Sequence, residues 1–326
     1  MDTRKVQITG KSTYIVTLPK KWALESGLEA GSAVNISYQD DGSLLIEPPK
    51  PKKTPETSKK KKVKKDNIEE IKRDIIGTYI MGGYQLLEVK GKNKPKKVES
   101  MVRELCRDLI GFEIVEVQDS KIVIQDFLDT EEFTIEAGLK RMSSLVFLML
   151  NDLLEALQAH DPETLRDIID RDSEVDRMFF LLSKLYISRL NLKKPSKSDR
   201  LSLIEAFHYR LAAGELERVG DHTVKIAKNL ENVELSKAGA ARIGEIGRFA
   251  QQLVSDSVSS FRLSDVQLAN RVLKQKELFE EELLGLASGE GPLESVPSIE
   301  IIIDSFSRIK DYAGNIAELT IDLSQL

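Results

Sequence analysis

From residue 131 onward the chain repeats itself, and that repetition admits very few architectures. "ERVGDHTVKIA" at 217–227 aligns with "SRIKDYAGNIA" at 307–317, sharing an arginine, an aliphatic residue, an aspartate and an Ile-Ala pair. Upstream of each, "DIIDRDSEVDRMF" at 167–179 and "RVLKQKELFEEEL" at 271–283 match more loosely. Apolar residues recur at three- and four-residue spacing throughout, as helices with one buried stripe require. Six helical segments are expected, at 131–159, 161–191, 198–232, 236–262, 264–287 and 296–325. Capping chemistry marks their starts: Asp161-Pro162 with Glu163, Ser198 with Asp199, and Pro297-Ser298 with Glu300. A unit of three helices present twice predicts two tandem three-helix bundles, 131–232 and 233–326.

The residues before 131 differ in kind. Residues 1–48 alternate in the manner of strands ("RKVQIT", "TYIVTLP", "SAVNISYQ", "SLLIEP"), with a short helix in "PKKWALESG" and a turn at "DDG", 40–42. So short a module buries little surface, and an interleaved homodimer is the expected remedy. Trp22, the single tryptophan, is expected to anchor its core. Residues 49–66 hold nine lysines, three prolines and no aromatic residue, which reads as a disordered linker. Those lysines serve either as a solvated spacer or as added non-specific affinity for DNA. Residues 67–130 read helix, strand, helix and hairpin, a small α+β adaptor whose hairpin turns at "DS", 119–120. Its basic "KGKNKPKK" loop binds an anion or nothing.

The net charge of −5 divides unevenly: −1 over 1–48, +7 over 49–66, −2 over 67–130 and −9 over 131–326. A basic tether between two differently tasked regions follows. One cysteine, Cys106, leaves no internal disulfide and favours a reducing compartment. No charged-then-apolar leader opens the chain, and the longest clear apolar run is "LVFLML" at 145–150. A membrane span needs about 18 apolar residues, so no transmembrane segment and a cytoplasmic location are expected. Catalysis finds little support. No Gly-rich phosphate loop follows a strand and no serine or cysteine triad suggests itself. "EAFH" at 205–208 is one Glu-x-x-His, and di-iron bundles need two. An enzyme is not expected.

Two resemblances organise these readings. "RKVQITGKSTYIVTLPKKW" followed by "SGLEAGSAVNISYQDDGSLLIEP" resembles the SpoVT/AbrB family, swapped-hairpin DNA-binding modules. That resemblance implies a DNA face built from Arg4, Lys5, Lys11, Lys20 and Lys21, residues suited to phosphate contacts. The alternative is a module that only dimerises. In the helical region, Glu-Arg-aliphatic-Gly-Asp-(His/Tyr)-x-x-x-Ile-Ala in two tandem bundles resembles the PhoU phosphate-uptake regulators, and the fused front module is typical of archaeal members. The resemblance implies a Glu/Asp-x-x-x-Asp signature that gathers iron or zinc on the bundle surface. It also implies a partner in a phosphate transporter or signalling protein, and promoter DNA as the target of the front dimer. The fold class expected is therefore multidomain: a swapped-hairpin β module, an α+β adaptor and all-α tandem bundles.

Helical geometry narrows the site. At about 100° per residue, with Leu216 at the origin, Glu217 falls near 100° and Asp221 near 140°, on one flank of the core stripe. His222 falls near 240°, on the other flank, and is excluded from that set. On the preceding helix Asp172 and Asp176 lie in or beside the apolar stripe of Ile168, Val175 and Phe179, where an unpaired carboxylate costs several kcal/mol. Asp172, Asp176, Glu217 and Asp221 are thus the candidate ligands, an all-oxygen set that suits magnesium or manganese as well as iron. The competing reading is a salt-bridge network with Arg218 and Lys225. In the second repeat Ser307 replaces Glu217 and Lys276 replaces Asp172, leaving Glu280 and Asp311 as a degraded site.

Overall fold

The structure, a computed structural model, describes residues 3–10, 12–38, 42–48, 60–64, 67–90, 95–118, 121–130, 132–159, 161–191, 201–233, 235–287 and 297–326. It divides into two compact units, Met1–Ser58 and Lys59–Leu326.

In the smaller unit β1 (Gln7–Thr9) pairs antiparallel with β2 (Thr13–Ile15), turning through Gly10 in the left-handed region. Helix α1 (Lys20–Glu25) starts behind Pro19, whose fixed φ suits a helix entry, and gives way to Gly27 at φ 64°. Strands β3 (Asn35–Tyr38) and β4 (Leu44–Glu47) form a second antiparallel pair. No described residue of this unit is buried; Ile8 is 63% exposed and Tyr38 88%. Trp22 is half-buried, and among the described residues of this unit there is no buried core for it to anchor.

The larger unit begins with a correction. Strand β5 (Lys60–Lys64) lies inside the stretch expected to be a disordered linker. It pairs parallel with β6 (Leu86–Lys90) through Val63, which is 2% exposed. One buried valine supplies the anchor, and lysines suit an edge strand because they deter further pairing. Between them runs α2 (Ile68–Met81), capped by the Asn67 side chain accepting from Glu69 N–H. Helix α3 (Pro95–Asp108), β7 (Phe112–Gln118) and β8 (Lys121–Asp126) follow, and the sheet order is β5-β6-β8-β7. Ile71, Ile75, Tyr79, Val89, Val102 and Ile124 make this subdomain's core. The expected hairpin turn at 119–120 and loop residues 91–94 lie outside the described residues.

Six helices complete the unit: α4 (Ile135–Ala159), α5 (Pro162–Asn191), α6 (Leu203–Leu230), α7 (Lys237–Leu263), α8 (Val266–Ala287) and α9 (Pro297–Leu323). They follow the segments expected, with two starts several residues later than expected, α4 at Ile135 rather than 131 and α6 at Leu203 rather than 198. Helix α6 is capped by Ser202, whose hydroxyl accepts from Glu205 N–H while the Glu205 carboxylate accepts from Ser202 N–H. Ser198, the expected cap, lies outside the described residues. The two triplets share one continuous core. Helix α4 is, among the described residues, long and apolar enough to cross a membrane by length and composition. Its stripe from Ile135 to Leu157 lines the shared core, which accounts for that apolarity.

The adaptor is fused to the first bundle. Lys184 of α5 is buried, donates to the Asp126 carboxylate at 2.5 Å and lies 4.2 Å above the Tyr79 ring. Phe180 of α5 packs against the adaptor's core.

Candidate functional site

Helices α5 and α6 meet where Val175 faces Gly220. A Cβ on Gly220 would stand 3.3 Å from Val175 Cγ1, so the missing side chain sets how closely the two helices approach. Asp172 and Asp176 flank Val175 one turn apart, and Glu217 and Asp221 flank Gly220 likewise. The close crossing therefore brings four carboxylates to one seam, as helical spacing implied.

Their electrostatics show that they share an environment. Burial, then the neighbouring carboxylates of Asp172, Asp221 and Asp108, push Asp176 up to about 6. Burial, then Asp221 and Asp176, push Glu217 up to about 7. Asp172 is raised by burial against the pull of Lys228. Asp221, the most exposed of the four, is raised by partial desolvation and by Asp172, with Arg218 and Lys228 opposing. Like charges gathered in a half-buried seam behave in this way when burial and mutual repulsion outweigh the nearby cations.

Of the cations in the salt-bridge alternative, Arg218 and Lys225 are engaged elsewhere, whereas Lys228 pulls on Asp172 and Asp221 without closing an ion pair with either. Arg218 pairs with Glu215 at 2.6 Å, and Lys225 with Asp304 at 3.7 Å. Among the described residues none of the four carboxylates accepts a hydrogen bond or joins an ion pair, and Asp172 Oδ1 is buried with no partner. An orphaned buried oxygen costs about 1–3 kcal/mol, more for a charged group. The donor chemistry thus fits a hard cation. The side chains as placed do not form a finished coordination sphere: among the described residues no three His, Cys, Asp or Glu converge on a point that a metal ion could occupy.

Asp108, at the end of α3, was not foreseen. It raises Asp176 and is itself raised by burial, opposed by Arg177 and Lys72. No periodicity in α5 or α6 points to it, because it arrives through packing of the adaptor. His222 turns away from the seam, as its helical angle required: its Nε2 lies 3.5 Å from Tyr312 Oη on α9.

The second repeat is built differently. Asp311 is held by Lys276 Nζ at 3.3 Å and by buried Lys310 Nζ at 3.2 Å. Lys276 crosses Gly314, where a Cβ would meet its Cδ at 2.8 Å. Two ammonium groups occupy the place of a cation. The Glu280 side chain lies outside the described residues.

In the smaller unit Arg4, Lys5, Lys20 and Lys21 are exposed, and Lys11 lies outside the described residues. Lys21 stands 4.0 Å from Glu25, both in solvent, a contact worth little.

Residues 139–230 match the family model of the PhoU domain, and residues 7–54 that of the antidote-toxin recognition MazE bacterial antitoxin. The phosphate-specific transport system accessory protein PhoU homolog of Clostridium acetobutylicum is 26% identical over 205 residues, covering 60% of this chain and 92% of that protein. The phosphate-specific transport system accessory protein PhoU of Escherichia coli K12 is 24% identical over 195 residues, covering 57% of this chain and 80% of that protein. The crystal structure of PhoU from Pseudomonas aeruginosa matches with a TM-score of 0.50 at 24% identity, covering 59% of this chain and 95% of that one. The chain therefore carries a PhoU-type helical region behind a MazE/AbrB-like module.

Proposed function

We propose that the chain regulates phosphate uptake, with the α5/α6 seam as a cation-loaded sensor and the small unit as a dimeric contact to promoter DNA. The observation that carries the sensor half is the set of four carboxylates without a partner, in the region that matches the PhoU domain. Asp172, Asp176, Glu217 and Asp221 would hold the cation. An all-oxygen set favours magnesium, manganese or iron over zinc. When bound, the ion supplies the positive charge that offsets their mutual repulsion. The chain's own part is to place two carboxylates on each helix across the Val175–Gly220 contact. Helix α5 also carries Lys184, which grips Asp126 in the adaptor, so a change in the seam has a short path to it.

The DNA half rests on the MazE-like match and on exposed basic residues. Val6, Ile8, Tyr14 and Ile36 are exposed apolar side chains on a unit without a core, which supports burial against a second copy. A dimer offsets weak single-module affinity by avidity. The location that suits this role is the cytoplasm, where a phosphate transporter or its signalling protein and DNA are both within reach.

Fluorescence anisotropy on fragments from phosphate-transporter promoters, titrated with salt, tests the DNA half. Binding is expected at low salt, with log affinity falling linearly against log salt and lost on Lys20→Glu with Lys21→Glu while the dimer persists. A dimer that stays unbound at low salt contradicts it. That result favours the second reading, a cation-binding adaptor of a phosphate transporter whose front module only dimerises, for which the module's charge of −1 speaks.

A further inference from the structure

The first turns of α4 and the middle of α5 enclose a groove of about 460 Å³ that the acidic seam does not use. That volume lies within the range of small-molecule sites, about 300–1,000 Å³. The walls follow from helical spacing. Thr134, Gly138, Arg141 and Leu145 form one stripe of α4 and the segment leading into it. Glu174, Arg177, Met178 and Leu181 form the facing stripe of α5. Beside the groove the two helices pack closely, because a Cβ on Gly138 would meet Leu182 Cδ2 at 2.6 Å. Ile110, in the turn after α3, contributes an adaptor wall, and Phe133 stands beside the groove, 41% exposed.

Of the four charges lining this groove Arg177 is the deepest, and Arg141 is exposed. Arg177 Nε is buried and has no hydrogen-bond partner. Neither Arg177 nor Arg141 closes an ion pair among the described residues, although Arg177 is near enough to Asp108 to oppose its upward shift. An unmade hydrogen bond of this kind is costly, and a ligand that satisfies it gains what the empty fold forgoes. Glu132 and Glu174 also line the groove, but both are exposed. A guanidinium with a buried nitrogen beneath solvent-facing carboxylates attracts one negative charge and repels a second. Leu145, Met178, Leu181 and Ile110 add apolar surface for the rest of the molecule.

We propose that this groove binds a small amphiphilic monoanion, its acidic head on Arg177 and Arg141 and its apolar body against Leu145, Met178 and Leu181. Because Ile110 belongs to the adaptor and the other walls to the first bundle, an occupant ties the two together. None of Asp172, Asp176, Glu217 and Asp221 lines this groove, so its occupation can be read without added cation or DNA.

The test uses the full chain and 2-naphthalenesulfonate, a fluorescent monoanion, with 2-naphthol as its neutral counterpart and inorganic phosphate at pH 8 as a dianion. Saturable binding of one naphthalenesulfonate per chain is expected, with naphthol and phosphate each at least ten-fold weaker. Arg177→Met, which keeps much of the side-chain volume, should weaken binding ten-fold or more. Ala137→Trp places bulk at the groove from an exposed position and should abolish binding without touching the core. Absence of saturable binding, equal binding of naphthol or phosphate, or unchanged affinity in Ala137→Trp would each overturn the proposal.

Discussion

A carboxyl group that keeps its proton near neutral pH reports a fold that has nowhere to put the charge. Glu217, up at about 7, and Asp176, up at about 6, are in that position because of burial and of each other's neighbours. Ordinary carboxyls release their protons near pH 4. Between that value and the folded ones the folded chain binds more protons than the unfolded chain, so stability falls as pH rises through the window. Cation-free protein should therefore melt a few degrees higher at pH 5.5 than at pH 7.5, roughly 2–8 °C by the usual conversion, in scanning calorimetry. Added manganese or magnesium should reverse the trend, since it competes with protons for the same oxygens. Glu217→Gln with Asp176→Asn should flatten the cation-free profile. Asp172→Asn removes one of the repelling charges. It should leave cation-free stability equal or higher while abolishing the cation-induced rise in melting temperature; an undiminished rise would exclude Asp172 as a ligand. The helical period sets these four residues beside the core stripe, and Asp172, Asp176 and Glu217 are half-buried while Asp221 is exposed. It was silent about Asp108, whose approach to Asp176 depends on how another subdomain packs, and about Lys310, which joins Lys276 on Asp311.

At the scale of elements, close approach is what the small residues provide. Gly247 of α7 sits where a Cβ would lie 2.5 Å from Leu154 Cδ2 of α4 and 2.9 Å from Phe306 Cζ of α9. Three helices from both repeats converge on it. Gly247→Ala should cost about 1–3 kcal/mol in urea unfolding, despite the better helix propensity of alanine, because packed side chains must shift. A neutral result would mean that α7 is free to move outward. The repeated apolar spacing made all six helices legible to within a few residues at most ends, since each must bury one stripe. The exceptions have physical reasons. Ser202 caps α6 because Glu205 completes its capping box, a pairing that the Ser198-Asp199 reading passes over. Composition marked residues 60–64 as linker, yet one apolar residue against β6 is enough to recruit a lysine-rich edge strand, and that pairing is visible only in three dimensions.

On the scale of the whole molecule, the two units contrast in how they satisfy their apolar residues. The larger unit buries its own in two cores, one within the adaptor and one across all six helices. The smaller unit buries none among its described residues. Dimerisation should therefore run through the smaller unit: Ile8→Asp with Ile36→Asp is expected to give monomers in sedimentation velocity while leaving the main unfolding transition of the larger unit in place. Persistent dimers would move the interface to the helical region. The two compact units meet inside the stretch read as a linker, whereas the repeat and the strand pattern set the front module apart from the helices. They did not foretell that adaptor and first bundle would be one body, because the Lys184–Asp126 pair joining them spans residues far apart in sequence. On the proposed reading the two repeats have diverged, one to hold a cation between carboxylates and the other to hold lysines in its place. Anomalous scattering from crystals grown with manganese tests it most directly. A peak between α5 and α6, with none beside Asp311, is the predicted result. Equal peaks in both bundles, or none at the α5/α6 seam, would contradict it.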